Sequence, residues 1–167
     1  MREEAPWARK TIGHAYSLQR RWPDATTQFR MVLAMTPHDA EARRLYADAL
    51  NGHGIELGTS GEHTRAVEAF RGSLAQNPDG SAVRHNLATA LLDSGDLAGA
   101  VAEAGKALEQ SPTDASLYNL RGRALAMQGQ FTDALVDLEA AVKLRPDDPA
   151  LREDLRRARQ FTSSLVH

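Results

Sequence analysis

Three kinds of side chain in this sequence could do chemistry. Asn51, Asn86 and Asn119 each carry an amide with both donors and acceptors, suited to the backbone of a bound peptide. Lys10 and Arg123 can hold carboxylates, Arg123 in a bidentate fork. His14, His53 and His85 are of a metal-ligating type, but the chain has no cysteine and no carboxylate completes a set. No metal or cofactor is therefore expected. Serine, histidine and aspartate are present without the spacing of a nucleophile elbow. Gly52-His53-Gly54 and Gly58 lead to no phosphate-loop lysine. No catalytic residue is assigned, and an enzyme is not expected.

These side chains must be positioned by helices. The apolar fraction is 42% but the aromatic fraction only 5%, with alanine and leucine plentiful. That composition favours helices packed through small residues. Net charge is −2, with 22 acids against 20 bases, so nothing demands nucleic acid or an anionic membrane. The first six residues carry two acids and no apolar run, which does not read as a secretory signal. No stretch approaches the ~18 apolar residues of a membrane span. A soluble, cytoplasmic chain is expected.

A repeat organises the whole length. Pro37, Pro78, Pro112 and Pro146 are separated by 41, 34 and 34 residues. Gly13, Gly54, Ala88 and Gly122 keep the same intervals, as do Ala25, Ala66, Ala100 and Ala134. A period of 34 marks stacked two-helix units. In residues 81–114, Val83, Leu87, Leu91 and Leu92 recur at helical spacing, then Leu97, Val101 and Leu108. Between the runs, Asp93-Ser94-Gly95-Asp96 reads as a stop and a new start. Pro112 ends the second run because it lacks an amide proton and disfavours a helical residue before it. Gly122 against Ala134 allows close approach of two helices, with Phe131 and Leu138 filling the rest. Gly13 against Ala25, with Trp22 and Phe29, repeats the device.

The second unit carries seven extra residues, nearly two helical turns, which almost preserves helix phase. One extended helix over about Asp39 to Thr59 is expected. Gly52, Gly54 and Gly58 weaken it by about 1 kcal/mol each relative to alanine, so a break there is the alternative.

The pattern resembles the tetratricopeptide repeat (TPR) family. The resemblance rests on Ile12-Gly13, Tyr16, Trp22, Ala25, Phe29, Val32 and Pro37 in the first unit. In the last it rests on Gly122, Leu125, Gly129, Phe131, Ala134, Leu138, Ala141 and Pro146. Arg121 and His53 stand where that family usually has leucine, and Ser73 where it has alanine, which predicts looser layers. The resemblance implies an all-α, right-handed superhelix (an α-solenoid). It would comprise one domain over 1–167, with units at about 6–38, 39–80, 81–114 and 115–148. A capping helix over 150–166 carries the apolar stripe Leu151, Leu155, Ala158, Phe161 and Leu165, with arginines opposite.

In such folds the first helices of successive units line a concave face. That frame puts Lys10 and His14, Asn51 and Ile55, His85, Asn86 and Thr89, and Asn119 and Arg123 in the groove. The implied function is a protein-interaction scaffold that takes a peptide or helical segment of a partner. The family's clamp for a C-terminal carboxylate needs basic residues and asparagines at five slots. Here Lys10 fits, and the others hold His14, Gly52, Ala82 and Asn86. A second reading is a homodimer through the uncapped N-terminal end or the extended second-unit helix. An RNA-binding repeat is a third, suggested by the arginine pairs Arg20-Arg21, Arg43-Arg44 and Arg156-Arg157.

Overall fold

Short capping signals divide the chain into helices. Asp39, Asp96, Asp114 and Asp148 accept hydrogen bonds from the backbone N–H groups of Ala42, Gly99, Ser116 and Ala150. Each satisfies a donor that a helix start would leave orphaned. Pro6 and Pro149 open their helices, where a missing N–H costs nothing. The computed structural model describes residues 5–164. Those residues hold α1 (Pro6–Leu18), α2 (Trp22–Met35), α3 (Ala40–Thr59), α4 (His63–Gln76) and α5 (Ser81–Ser94). They continue with α6 (Leu97–Gln110), α7 (Ala115–Met127), α8 (Phe131–Leu144) and α9 (Pro149–Ser164), and contain no strand. None of these helices is long and apolar enough to cross a membrane.

The tight turn inside a helix pair needs one residue with positive φ. Gly61, Gly95 and Gly129 fill it at +83°, +87° and +81°. In the first pair Arg20 takes that role at +57°, where a Cβ is disfavoured.

The chain divides into two compact units, residues 1–83 and 84–167. In the first, α1 packs on α2, α2 on α3 and α3 on α4. The core here includes Ala25, Phe29 and Ala49, with Tyr16, Trp22, Leu45 and Tyr46 packed against it. In the second, α6 packs on α7, α7 on α8, and α9 on both α7 and α8. Ala115, Ala141 and Leu151 form one of its clusters.

Close approach is governed by rings and branched side chains more than by alanines. A Cβ on Gly13 would lie 2.8 Å from Phe29 Cε1, and one on Gly54 2.6 Å from Phe70 Cε1. One on Gly122 would lie 2.9 Å from Leu138 Cγ and 3.1 Å from the Ala134 carbonyl oxygen. All are below the ~3.5–4.0 Å at which carbon atoms rest. Gly122 thus meets Ala134 as expected, and the nearest atoms to Gly13 are those of the Phe29 ring, which was expected to fill this helix pair. Trp22 packs against the Ala25–Phe29 core and also reaches α3. Its ring sits where a Gly52 Cβ would come within 2.6 Å of Cη2, and its Nε1 donates to Glu56 Oε2 at 2.7 Å. Gly52 and Gly54 therefore seat two rings, and α3 runs unbroken through both.

Two of the departures from the apolar pattern, Arg121 and Ser73, are compensated by hydrogen bonds. Arg121 donates from Nε and Nη2 to the two oxygens of Asp137, both at 2.7 Å. The Asp137 carboxylate is 5% exposed. This bond holds the Arg121 guanidinium above its ordinary pKa, against the opposing effect of burial. Ser73 is buried, and its hydroxyl donates to the Ala47 carbonyl at 2.8 Å. His53 is pushed below 6.5, first by burial and then by Arg65.

The last helix begins at Pro149, one residue before the expected start. Its expected final residues, Leu165 and Val166, lie outside the described region. Leu151 and Leu155 are buried, but Phe161 is 51% exposed, so only the first half of the apolar stripe is covered.

Candidate functional site

The first unit has a depression of about 470 Å³ between α1 and α3. Trp7, Lys10, Thr11 and His14 line it from α1, with Glu41, Arg44 and Leu45 from α3. Lys10 is already engaged. Its Nζ donates to Glu41 Oε2 at 2.6 Å and lies 3.1 Å from Asp39 Oδ2. These partners raise its pKa, Glu41 foremost. Asp39 is lowered, chiefly by the Ala42 N–H and next by Lys10. Lys10 thereby ties α1 to the cap of α3, which competes with holding a foreign carboxylate. The indole of Trp7 is 70% exposed beside it. Asn51 and Ile55 lie further along α3, beyond this lining, half-buried and exposed respectively.

The second unit brings four of the expected residues together. His85 and Thr89 on α5 face Asn119 and Arg123 on α7 across a depression of about 210 Å³. Leu92, Asp93, Ser116, Leu120, Arg145 and Leu151 complete its wall. Asn86 adjoins His85 on α5, half-buried and outside this lining. Asn119 is oriented by α9: its Nδ2 donates to Asp154 Oδ2 at 3.0 Å, while its buried Oδ1 accepts no hydrogen bond. Arg145 donates to Ser116 Oγ at 2.6 Å. Arg123 is exposed and makes no hydrogen bond or ion pair with any described residue. The arrangement offers one exposed guanidinium, which suits a carboxylate.

A larger depression, of about 520 Å³, adjoins it and was not anticipated from the sequence. Its mostly apolar wall comes from Ala126 and Met127 on α7, Phe131 and Leu138 on α8, and Ala158 and Phe161 on α9. Arg123, Asp154 and Arg157 stand at its edge. Phe131 read as filler of its own helix pair. Its ring also lies 4.9 Å, centroid to centroid, from that of Phe161. The signal was present: the apolar stripe of α9 continues to Ala158 and Phe161, beyond the buried Leu151 and Leu155.

His14, His53 and His85 line three different depressions. Among the described residues no group of three or more histidine, aspartate or glutamate side chains is placed to hold a metal ion.

Comparison with known proteins agrees with this geometry. A family model described as "Tetratricopeptide repeat" matches residues 11–81, 51–115 and 85–149. Protein FlbA of Caulobacter vibrioides is 30% identical over 122 residues, which span 72% of this chain but 19% of FlbA. The crystal structure of MamA protein superposes with a TM-score of 0.72 at 14% identity, covering 95% of this chain and 82% of that one. The first TPR of Spaghetti (RPAP3), bound to the HSP90 peptide SRMEEVD, superposes with a TM-score of 0.67 at 20% identity. That match covers 70% of this chain and 93% of the other. With repeat positions, helix pairs and solved relatives in agreement, the chain belongs to the tetratricopeptide repeat family, with its all-α helical-repeat fold.

Proposed function

We propose that this chain is a protein-interaction module that holds a segment of a partner protein against the α5–α7 face of its second unit. One observation carries the reading: His85, Thr89, Asn119 and Arg123 line a single depression, and the Arg123 guanidinium in it has no partner among the described residues. Preformed helices limit the ordering needed on binding, which favours affinity. The likeness in fold to a domain bound to an HSP90 peptide supports a peptide-like occupant. The occupant here differs from a clamped C-terminal carboxylate. Only Lys10 matches that clamp, and Lys10 is bonded to Asp39 and Glu41.

The test is capture from native lysate by the wild type and by Asn119→Ala/Arg123→Ala. The variant should melt like the wild type and lose the captured partner. A partner retained equally by both moves the site off this face. The self-association reading draws on Trp7 and Leu18, 70% and 75% exposed in the first unit. Light scattering at dilute concentration separates it: a mass of 18.2 kDa is a monomer and rejects it.

A further inference from the structure

We infer that the partner segment carries a bulky apolar side chain next to an acidic residue, recognised by two adjoining subsites that share Arg123. This rests on the proposed binding role of the second unit and names the chemistry of its ligand.

The argument starts from what the pocket between α7, α8 and α9 leaves uncovered. Met127 is 62% exposed and Phe161 51% exposed, and both face the same depression as Phe131 and Leu138. Its volume of about 520 Å³ falls in the range of pockets that bury small ligands, ~300–1,000 Å³. The first half of the α9 stripe is buried at Leu151 and Leu155, while Ala158 and Phe161 lie open against α7 and α8. Nothing on this chain among the described residues fills that space, and its wall offers little to a polar group.

The rim decides which apolar occupant fits. Asp154 is bonded to Asn119. Arg157 shares the single carboxylate of Glu153 with Arg156. Arg123 has no carboxylate at all among the described residues and also lines the polar depression beside Asn119. At the edge of the apolar depression two arginines, Arg123 and Arg157, stand against one carboxylate, Asp154, whose partner Asn119 is neutral, and Asp93 lies on the wall of the polar depression, so the free positive charge is that of Arg123. An acidic residue there gains a bidentate partner, whereas a basic one meets repulsion. The neighbouring apolar side chain enters the Met127–Phe131–Phe161 pocket.

The experiment is selection of a random twelve-residue peptide library displayed on phage against the intact chain. Enriched sequences should place phenylalanine, leucine or methionine within two residues of aspartate or glutamate. Measured as synthetic peptides by fluorescence anisotropy, they should weaken about tenfold when the acid is amidated, and about tenfold when the apolar residue becomes serine. Arg123→Ala should abolish the preference for the acid and keep that for the apolar residue. Met127→Asp, an exposed position that leaves the helix intact, should do the reverse. Enriched peptides without the pair, or with affinities that neither variant alters, overturn the inference. So does a concentration-dependent doubling of mass removed by Met127→Asp, which would make a second copy the occupant. If no peptide is enriched but lysate capture still depends on Asn119 and Arg123, this chemistry is wrong and the binding role stands. If capture also fails to depend on them, both fall.

Discussion

Replacing Gly54 by alanine should destabilise the protein even though alanine is the better helix former. The Cβ would lie 2.6, 2.8 and 2.9 Å from Cε1, Cδ1 and Cζ of Phe70. Relief to ordinary carbon contact needs a shift of about 1 Å. Phe70 is 3% exposed and flanked by buried Ala66, Val67 and Ala69, so the ring has no exit. Overpacking costs about 1–3 kcal/mol, and a clash with a whole ring edge belongs in the upper half of that range. Alanine returns about 1 kcal/mol of helix propensity. The net loss is therefore about 1–2 kcal/mol, or roughly 2–8 °C in melting temperature for a chain of this length. The assay is denaturant unfolding followed by helical circular dichroism, for Gly54→Ala alone and combined with Phe70→Ala. On the Phe70→Ala background the clash is gone, and Gly54→Ala should now stabilise by about 1 kcal/mol. The third helix pair already has this arrangement: Ala88 stands at the glycine position and Ala104 at the ring position, both fully buried. If Gly54→Ala costs the same with and without the ring, the explanation of the glycine is wrong.

Three further outcomes are expected. Arg121→Leu leaves the buried Asp137 carboxylate unpaired and should cost about 3 kcal/mol, while Arg121→Leu/Asp137→Leu should return close to wild type; additive losses in denaturant melts would refute this. Arg20→Gly should stabilise by about 1 kcal/mol by relieving the positive φ, and Arg20→Ala should not, as paired melting curves will reveal. His53 titrates below its ordinary 6.5, so the unfolded chain binds the proton first as pH falls. Its contribution is full above pH 6.5 and is lost through the window below it; melting temperatures from pH 7.5 to 5 should show a step that His53→Leu lacks.

The fold was legible because its signals are local or periodic. Capping aspartates, turn glycines and prolines mark helix ends without reference to distant residues. The continuity of α3 was harder to read, since three glycines argue against a helix by propensity. Tertiary packing decides it: Gly52 and Gly54 are required by Trp22 and Phe70, while Gly58 has only an ordinary 3.9 Å contact with Ala66. The polar bonds were not legible. Arg121 reaches Asp137 across the turn from α7 to α8, and Lys10 reaches Glu41 from another helix pair. Such pairs depend on the rotation of each helix, which composition does not encode. For the same reason Lys10 looked free in the sequence and is not, whereas Arg123 looked free and is. The apolar pocket escaped because Phe131 and Phe161 each had a plausible structural role, and only their juxtaposition makes a cavity.

Rotation is where packing meets function. A helix turns 100° per residue, so a residue three before a reference lies about 60° to one side, and one after lies about 100° to that same side. Taking Gly13, Gly54, Ala88 and Gly122 as references, the residues at those offsets are Lys10 and His14, Asn51 and Ile55, His85 and Thr89, Asn119 and Arg123. The residue one before the reference lies about 100° to the opposite side, and in α7 that residue is Arg121, bonded to Asp137 on α8. The close approach at Gly122 and this bond therefore fix α7 from two directions about its axis. With both in place, Asn119 and Arg123 are held on the side that lines the depression with His85 and Thr89. Loss of the Arg121–Asp137 bond removes one of the two restraints, so its effect should extend from stability to the presentation of Arg123. A variant that melts lower yet binds the partner unchanged would separate the two and show that Gly122 alone sets the face.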